Sequence, residues 1–198
     1  MGNKFLILLF LFIFPFCFSQ ETKDNKLNLK TSFSIGFIYP IEFGSTALAK
    51  GHSSNLGVTS SLGILKYSNF SGGIGLDYIF YSVEDKQLIG NYGSSKHNSY
   101  FFYFNYDYPI SKKISLTPSV GYGYSELVIK KSGKRRGAQD GKEFRLGTSI
   151  NYNFDKHNAL CLSILYVNNK YDVKTEETLE DFFGKSNSIQ IGIIYITK

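Results

Sequence analysis

Eight segments in which apolar side chains alternate with small or polar ones run through the chain. Alternation with a period of two is the pattern of a β-strand that has one apolar face. The segments lie at residues 27–39, 56–64, 70–80, 99–108, 114–124, 143–154, 160–166 and 188–197. The sequence therefore predicts an all-β fold of eight strands.

The connections between the predicted strands alternate between short and long. Short ones lie at 66–69, 109–113 and 155–158, and long ones lie at 40–54, 84–98, 130–141 and 172–187. This wiring is typical of an antiparallel up-and-down barrel with short turns at one end and four long loops at the other. Closure would pair the last strand with the first and leave no exposed edge. Pro118 lies inside the fifth predicted strand, where its missing N–H predicts a bulge or a local distortion.

The two faces of the predicted barrel differ in side-chain volume and in sorting by depth. An eight-stranded barrel has room inside for modest side chains, so the Gly, Ser, Thr and Asn row fits the interior. On the other row, aromatic residues near the short turns are Phe70, Tyr106, Tyr108, Tyr152, Phe154 and Tyr195, and those near the long loops are Tyr39, Tyr78, Phe80, Tyr100, Tyr122, Tyr124, Phe144 and Tyr166. Between them lie Leu62, Ile74, Leu76, Val120, Ile150, Leu162, Ile164 and Ile191. Two aromatic belts around an aliphatic band favour a transmembrane β-barrel, with a soluble lipocalin-like barrel or a β-sandwich as the alternative.

The last predicted strand carries a polar-x-Gly-x-x-aromatic spacing at Gln190, Gly192 and Tyr195. This spacing resembles the assembly signal on the last strand of Gram-negative outer-membrane barrels. Through its wiring, belts and last strand, the chain resembles the small eight-stranded barrels of the OmpA membrane-domain and OmpX class. The resemblance implies an outer-membrane location, surrounding lipid and lipopolysaccharide, and the barrel assembly machinery as a partner. The chain departs from the pattern at Thr197-Lys198, where the usual terminal aromatic residue would stand, and no periplasmic cell-wall-binding domain is expected.

The N-terminal segment predicts export. Residues 1–19 have one early lysine and a short apolar core before Cys17-Phe18-Ser19, which is typical of a cleaved signal peptide. Residues 20–26 read as a polar periplasmic leader, and residues 27–198 as one barrel domain. Cys161 would then be a lone cysteine, expected as a small apolar strand residue. The formal net charge of +6 is too mild and too scattered to indicate nucleic-acid binding.

A set of charged residues falls on the predicted inward row. The set comprises Lys30, Asp77, Asp107, Glu143 and Arg145. Charges in a barrel interior are partly removed from water and are expected to pair with one another. We therefore expect a polar network that fills the lumen, with a narrow conducting path as the alternative.

His97 and Ser99 resemble the His-x-Ser pair of outer-membrane lipid A deacylases. A serine hydrolase needs the histidine within reach of the hydroxyl and a carboxylate to orient it. Strand parity places both residues on the lumen side or in a loop, away from the lipid, and no matching carboxylate is identifiable. No catalysis is expected. His52 and His157 have no metal-ligand spacing around them, and no metal or cofactor is expected.

The third and fourth long loops differ in charge. The third carries Lys130, Lys131, Lys134, Arg135 and Arg136, and the fourth carries Asp172, Glu176, Glu177, Glu180 and Asp181. Clustered lysines and arginines at the outer surface could bind lipopolysaccharide phosphates, or the basic loop could be solvated and paired with its acidic neighbour. The sequence thus favours an outer-membrane barrel with a structural or surface-interaction role. A narrow channel or transport accessory and a lipid A-modifying enzyme are the alternatives.

Overall fold

The computed structural model describes residues 31–198 and contains eight long antiparallel strands. They are β1 Ser32–Phe43, β2 Gly57–Tyr67, β3 Phe70–Val83, β4 Ser94–Tyr106, β5 Ile114–Lys131, β6 Lys134–Asn153, β7 Asn158–Tyr171 and β8 Lys185–Thr197. The predicted signal peptide, the polar leader and Lys30 lie outside the described residues. All eight predicted strands are confirmed, the first of them within its described part, because residues 27–30 also lie outside the described residues.

Each strand pairs with its neighbours in the chain, and β1 pairs with β8 to close the ring. The closing register runs from Phe33 opposite Thr197 to Phe43 opposite Asn187. Between residues 31 and 198, no helix has the length and apolar character that a membrane crossing requires. The predicted up-and-down eight-stranded barrel is confirmed.

The outward face of the barrel carries the large apolar side chains. Leu162 in β7 is 51% exposed, and Phe102 in β4 is 67% exposed. Others on this face are Ile35, Phe37, Tyr39, Ile74, Leu76, Tyr100, Phe104, Val120, Tyr122, Leu146, Ile150, Tyr152, Ile164, Ile193 and Tyr195. A surface this apolar needs lipid around it. This facing is the reverse of what the soluble lipocalin-like alternative requires.

One β-bulge changes the predicted facing of β2. The register against β3 shifts between Gly63 and Leu65, so Leu65 faces outward and is 42% exposed. Uninterrupted alternation over 56–64 would place Ile64 on the outward row with Leu62, and the register shift removes it from that row. The same shift turns Lys66 towards the lumen, where it lines an internal cavity. A bulge inserts one residue into the strand and reverses the parity beyond it.

Pro118 interrupts one ladder without changing its register. Pairing of β4 with β5 stops at Asn105 opposite Ser119. It resumes in the same register in a short strand, Tyr108–Pro109, at Tyr108 opposite Leu116. The interruption lies beside Pro118, which has no N–H to donate. The predicted local distortion is confirmed as a gap in the ladder.

Short helices occupy three of the external connections. They are α1 Ala47–Gly51, α2 Lys86–Ile89 and α3 Glu177–Gly184. A short strand, His52–Ser54, pairs with the outer end of β3. The Thr46 hydroxyl accepts a hydrogen bond from the Ala49 N–H and so caps α1. Among these helices, α1 buries Ala47, Leu48 and Gly51, whereas α2 buries none of its residues.

The third external connection is a β-hairpin. β5 continues to Lys131 and β6 begins at Lys134, so that only Ser132 and Gly133 join the two strands. Both turn residues have positive φ, 51° and 75°, as a type I′ hairpin turn requires. The prediction of a loop over 130–141 is therefore wrong. Pairing of β6 with β7 begins only at Gly141, so residues 134–140 project beyond that neighbour.

Glycines make room for the inward aromatic residue Phe101. Its register partners are Gly75 on β3 and Gly123 on β5. A Cβ atom on Gly75 would collide with the Phe101 ring, and one on Gly123 would collide with the Tyr100 carbonyl oxygen and the Phe101 backbone. Small residues on both sides of a large one let the interior fill without strain.

A Gly123→Val substitution should therefore destabilise the barrel. The added methyl groups would overpack the junction of β4 and β5, at a cost of about 1–3 kcal/mol. The readout is the temperature at which the SDS-resistant folded band converts to the unfolded band. Gly137→Val is the matched control, because a Cβ atom there meets nothing within 4 Å. Equal transition temperatures for the two variants would contradict the packing described for Phe101.

Candidate functional site

A buried ionic network crosses the middle of the lumen. Arg145 on β6 donates to Asp77 on β3 at 2.6 Å, to Glu143 at 3.0 Å and to Gln190 on β8 at 3.0 Å. The side chains of Asp77 and Glu143 are 0% exposed, and that of Arg145 is 4% exposed. The guanidinium carbon lies 3.8 Å from the centre of the Phe101 ring. One arginine thus joins three strands and stacks on a fourth.

The network extends to the His-x-Ser pair. The Ser99 hydroxyl donates to Oε1 of Glu143 at 2.7 Å, and Nε2 of His97 lies 3.5 Å from Oε2 of Glu143. Both residues therefore face the same carboxylate, and no hydrogen bond joins His97 to Ser99. Both are buried inside the barrel. The Ser99 hydroxyl therefore donates to the Glu143 carboxylate and not to His97, as expected of polar side chains that fill a barrel interior.

A buried apolar cluster, here called the apolar plug, lies in the lumen on the external side of the network. Its members are Ile38, Leu48, Ile79, Tyr81, Leu127 and Tyr171, with Val173 packed against them. Leu48 comes from α1, which is inserted into the barrel mouth with Ala47 and Gly51 also buried. The Tyr81 hydroxyl donates to Glu42 at 2.7 Å. Sequence reasoning missed this plug, although the apolar residues at inward parity in β1, β3 and β5 were a visible signal.

His52 fixes the external connection that carries the plug. Its Nδ1 lies 3.1 Å from the Ala47 carbonyl oxygen, and its Nε2 lies 2.9 Å from the Ser95 hydroxyl on β4. Burial lowers the pKa of the His52 imidazole, so the ring is neutral near pH 7. A neutral ring can donate through one nitrogen and accept through the other. The α1 segment is thus tied to the barrel wall.

A polar cavity occupies the inner half of the lumen. Its volume is about 190 Å³, and hydroxyl groups line much of it, with Arg145 at one end and Lys66 and Lys198 near the inner turns. Asp107 also lines it and accepts from the Thr117 hydroxyl at 2.8 Å, and Asn151 donates to the same hydroxyl at 2.8 Å. The structure thus brings Asp77, Glu143 and Arg145 together, while Asp107 lies apart from them.

The residues of the predicted assembly signal lie on two faces of β8. Gln190 points inward and is 1% exposed, where it accepts from Arg145. Gly192 also lies inward, and a Cβ atom there would come within 2.5 Å of the Ser163 hydroxyl. Tyr195 faces outward in the inner aromatic belt and donates to Asn158 at 2.7 Å. Their role in assembly stays a prediction.

The basic residues 130–136 lie at the projecting end of the β5–β6 hairpin. Arg135 donates to Glu126 at 2.7 Å, while Lys131, Lys134 and Arg136 are exposed. No ion pair joins this hairpin to the acidic residues of the β7–β8 connection, within the part of the chain that the structure describes. The same part contains no group of acidic, histidine or cysteine residues that could hold a metal ion. The hairpin therefore presents positive charge to the outside.

Comparison with known proteins finds likeness in structure but none in sequence. No protein-family model and no curated protein sequence matches the chain. Neisserial surface protein A has a similar structure, with a TM-score of 0.60 and 10% identity over 87% of this chain and 99% of that one. A major outer membrane protein from Thermus thermophilus gives a TM-score of 0.48 and 10% identity, covering 84% and 98%. Ail of Yersinia pestis, in complex with the heparin analogue sucrose octasulfate, gives a TM-score of 0.46 and 12% identity, over 84% of this chain and 97% of that one.

These findings define the class of the protein. The likeness to Neisserial surface protein A covers nearly the whole of both chains, and at 10% identity it shows a shared fold. The protein is a small membrane-spanning β-barrel with the fold of outer-membrane proteins, as the sequence predicted. Its apolar outward band agrees with the outer-membrane location.

The ionic network yields a stability prediction. An Arg145→Met variant leaves Asp77 and Glu143 buried without their cation, which should lower the free energy of unfolding by about 3–5 kcal/mol. Adding Asp77→Asn and Glu143→Gln should restore most of the loss, because no buried charge then lacks a partner. The measurement is urea unfolding of the refolded barrel in detergent. Arg135→Met at the exposed hairpin is the control, and an equal loss there would contradict a special role for the buried network.

Proposed function

We propose that the protein is a closed, non-catalytic barrel of the outer membrane, with a structural or surface-interaction role carried by its external end. The observation that carries this proposal is the presence of two buried layers of side chains across the lumen. The apolar plug around Leu48 and Tyr81 lies on the external side, and the Arg145 network lies beneath it. A solute would have to displace both layers.

The closed lumen also bears on the two alternatives. A conducting path needs a continuous hydrated route, but the described cavity of about 190 Å³ is bounded by Arg145 of the ionic network and by Ile38 of the apolar plug. A lipid-modifying serine hydrolase needs a nucleophile within reach of lipid, but Ser99 is 1% exposed inside the barrel. The geometry therefore supports a scaffold better than a channel or an enzyme.

The element best suited to meet partners is the β5–β6 hairpin. It projects past β7, its two strands stay paired up to a two-residue turn, and Lys131 and Lys134 are opposite each other next to that turn. Both lysines are exposed. A hairpin whose strands are already paired loses less conformational freedom on binding than an irregular loop would. Clustered cations at its end suit anionic partners at the cell surface, and the positive charge would steer their approach.

Single-channel recording in planar bilayers tests the closed lumen. The refolded barrel should give no discrete current steps. A Leu48→Gly, Tyr81→Ala, Arg145→Ala variant, in which both layers are cut back, should give steps that scale with salt concentration. The matched control is Leu88→Gly, Tyr92→Ala, Arg135→Ala, which removes the same residue types from the external connections and the hairpin.

The folded state of each protein is checked by its SDS-resistant band before recording. Steps from the unaltered barrel that equal those of the opened variant would refute the closed lumen. Such a result would favour the channel alternative.

A further inference from the structure

Two lysines lie side by side on the outward wall of the barrel. Lys142 on β6 is the register partner of Lys170 on β7, and both are exposed. Lys170 is in turn opposite Lys185 on β8, which pairs with Asp181 at 2.6 Å. Neither Lys142 nor Lys170 forms an ion pair with any residue between 31 and 198. Like charges directly opposite each other destabilise a sheet unless an anion lies between them.

The height of this lysine pair above the inner aromatic belt can be estimated from β6. The strand from Tyr152 to Lys142 has a length of about 33 Å at the usual rise per residue. A tilt of about 40° reduces this to a height of about 25 Å, which matches the apolar band of an outer-membrane barrel. Phe144 is the next residue below Lys142 on the outward face of β6, and Tyr166 follows Asn168 below Lys170 on β7. The two ammonium groups therefore lie at the level of the outer-leaflet headgroups.

Two exposed carboxylates lie farther out along the same strands. Asp140 is two residues beyond Lys142, and its carboxylate accepts a hydrogen bond from the Tyr124 hydroxyl. Asp172 follows the last paired residue of β7, and its N–H donates to the Asp140 carbonyl oxygen at 2.7 Å. Positive charge thus lies next to the apolar band, and negative charge lies one step towards the outside. This order leaves the lysine pair directed at whatever fills the headgroup layer.

We propose that Lys142 and Lys170 together bind a phosphate group of an outer-leaflet lipid. Lysine ammonium groups bind phosphate as point charges, and Cβ atoms of opposite residues are about 5 Å apart, which lets two ammonium groups share one phosphate. The aromatic side chains below the pair would contact the acyl chains of the same lipid. The proposal rests on the membrane placement of the barrel but not on the closed lumen. Lysines at the hairpin end stand away from the membrane and suit soluble anions instead.

Native mass spectrometry of the refolded full chain, released from mixed detergent micelles that contain diphosphoryl lipid A, tests this site. The unaltered barrel should retain one lipid A molecule. A Lys142→Gln, Lys170→Gln variant should retain about tenfold less, because each lysine near a charged lipid surface contributes several-fold to binding. Lipid A from which the phosphates have been removed should not be retained by either protein.

The matched control is Lys131→Gln, Lys134→Gln, which also removes a cross-strand lysine pair but at the hairpin end. It should retain lipid A like the unaltered barrel. Equal retention by the Lys142→Gln, Lys170→Gln variant, or an equal loss in the hairpin control, would overturn the proposal. So would full displacement of lipid A by an equal concentration of inorganic pyrophosphate, which would indicate a site for free anions. Absence of an SDS-resistant folded band in the unaltered protein would instead overturn the membrane placement itself.

Discussion

The pairing of β1 with β8 lets every long strand exist in lipid. The hydrocarbon core offers no water, so each backbone N–H and C=O that faces it must find a partner within the protein. An open sheet of eight strands would leave two edges without partners. The closing register from Phe33 to Phe43 removes both edges. The C-terminal strand, with Gln190 facing inward and Tyr195 facing outward, is therefore the seam on which the barrel depends.

Closure then creates an interior that must be filled. Gly75 and Gly123 leave space for the Phe101 side chain, and the Arg145 guanidinium stacks on the Phe101 ring. Arg145 in turn donates hydrogen bonds to the buried carboxylates of Asp77 and Glu143, which would be costly to bury without a cation. On the external side of this layer, Leu48 and its neighbours form an apolar cluster. Below it, hydroxyl groups line a cavity. The interior thus changes from apolar to ionic to hydroxylated along the barrel axis.

Much of this fold could be predicted from the sequence, because period-two alternation is a local property and depth-sorted belts follow from lipid contact. The inward facing of Lys66 could not be predicted. The bulge after Gly63 reverses which side chains of β2 face inward, and no distinctive residue pattern marks it. The hairpin was mistaken for a loop because residues 134–140 lie beyond the membrane, where a strand needs no apolar face. Of the lumen residues, Asp77, Glu143 and Arg145 could be placed inside by parity, but their mutual contact depends on strand stagger. The contacts of His97 with Glu143 and of Gln190 with Arg145 also depend on strand stagger, so they could not be predicted either.

The chain contains no tryptophan, so a single introduced indole reports the depth of one chosen position. Leu162→Trp places it in the middle of the outward band, and Tyr195→Trp places it in the inner belt. Each variant is reconstituted in vesicles whose phosphatidylcholine carries bromine either deep in the acyl chains or near the headgroup. Deep bromine should quench the Leu162→Trp variant more strongly, and shallow bromine should quench the Tyr195→Trp variant more strongly. Equal quenching of both variants by the two lipids, or none at all, would contradict a lipid-facing outer wall.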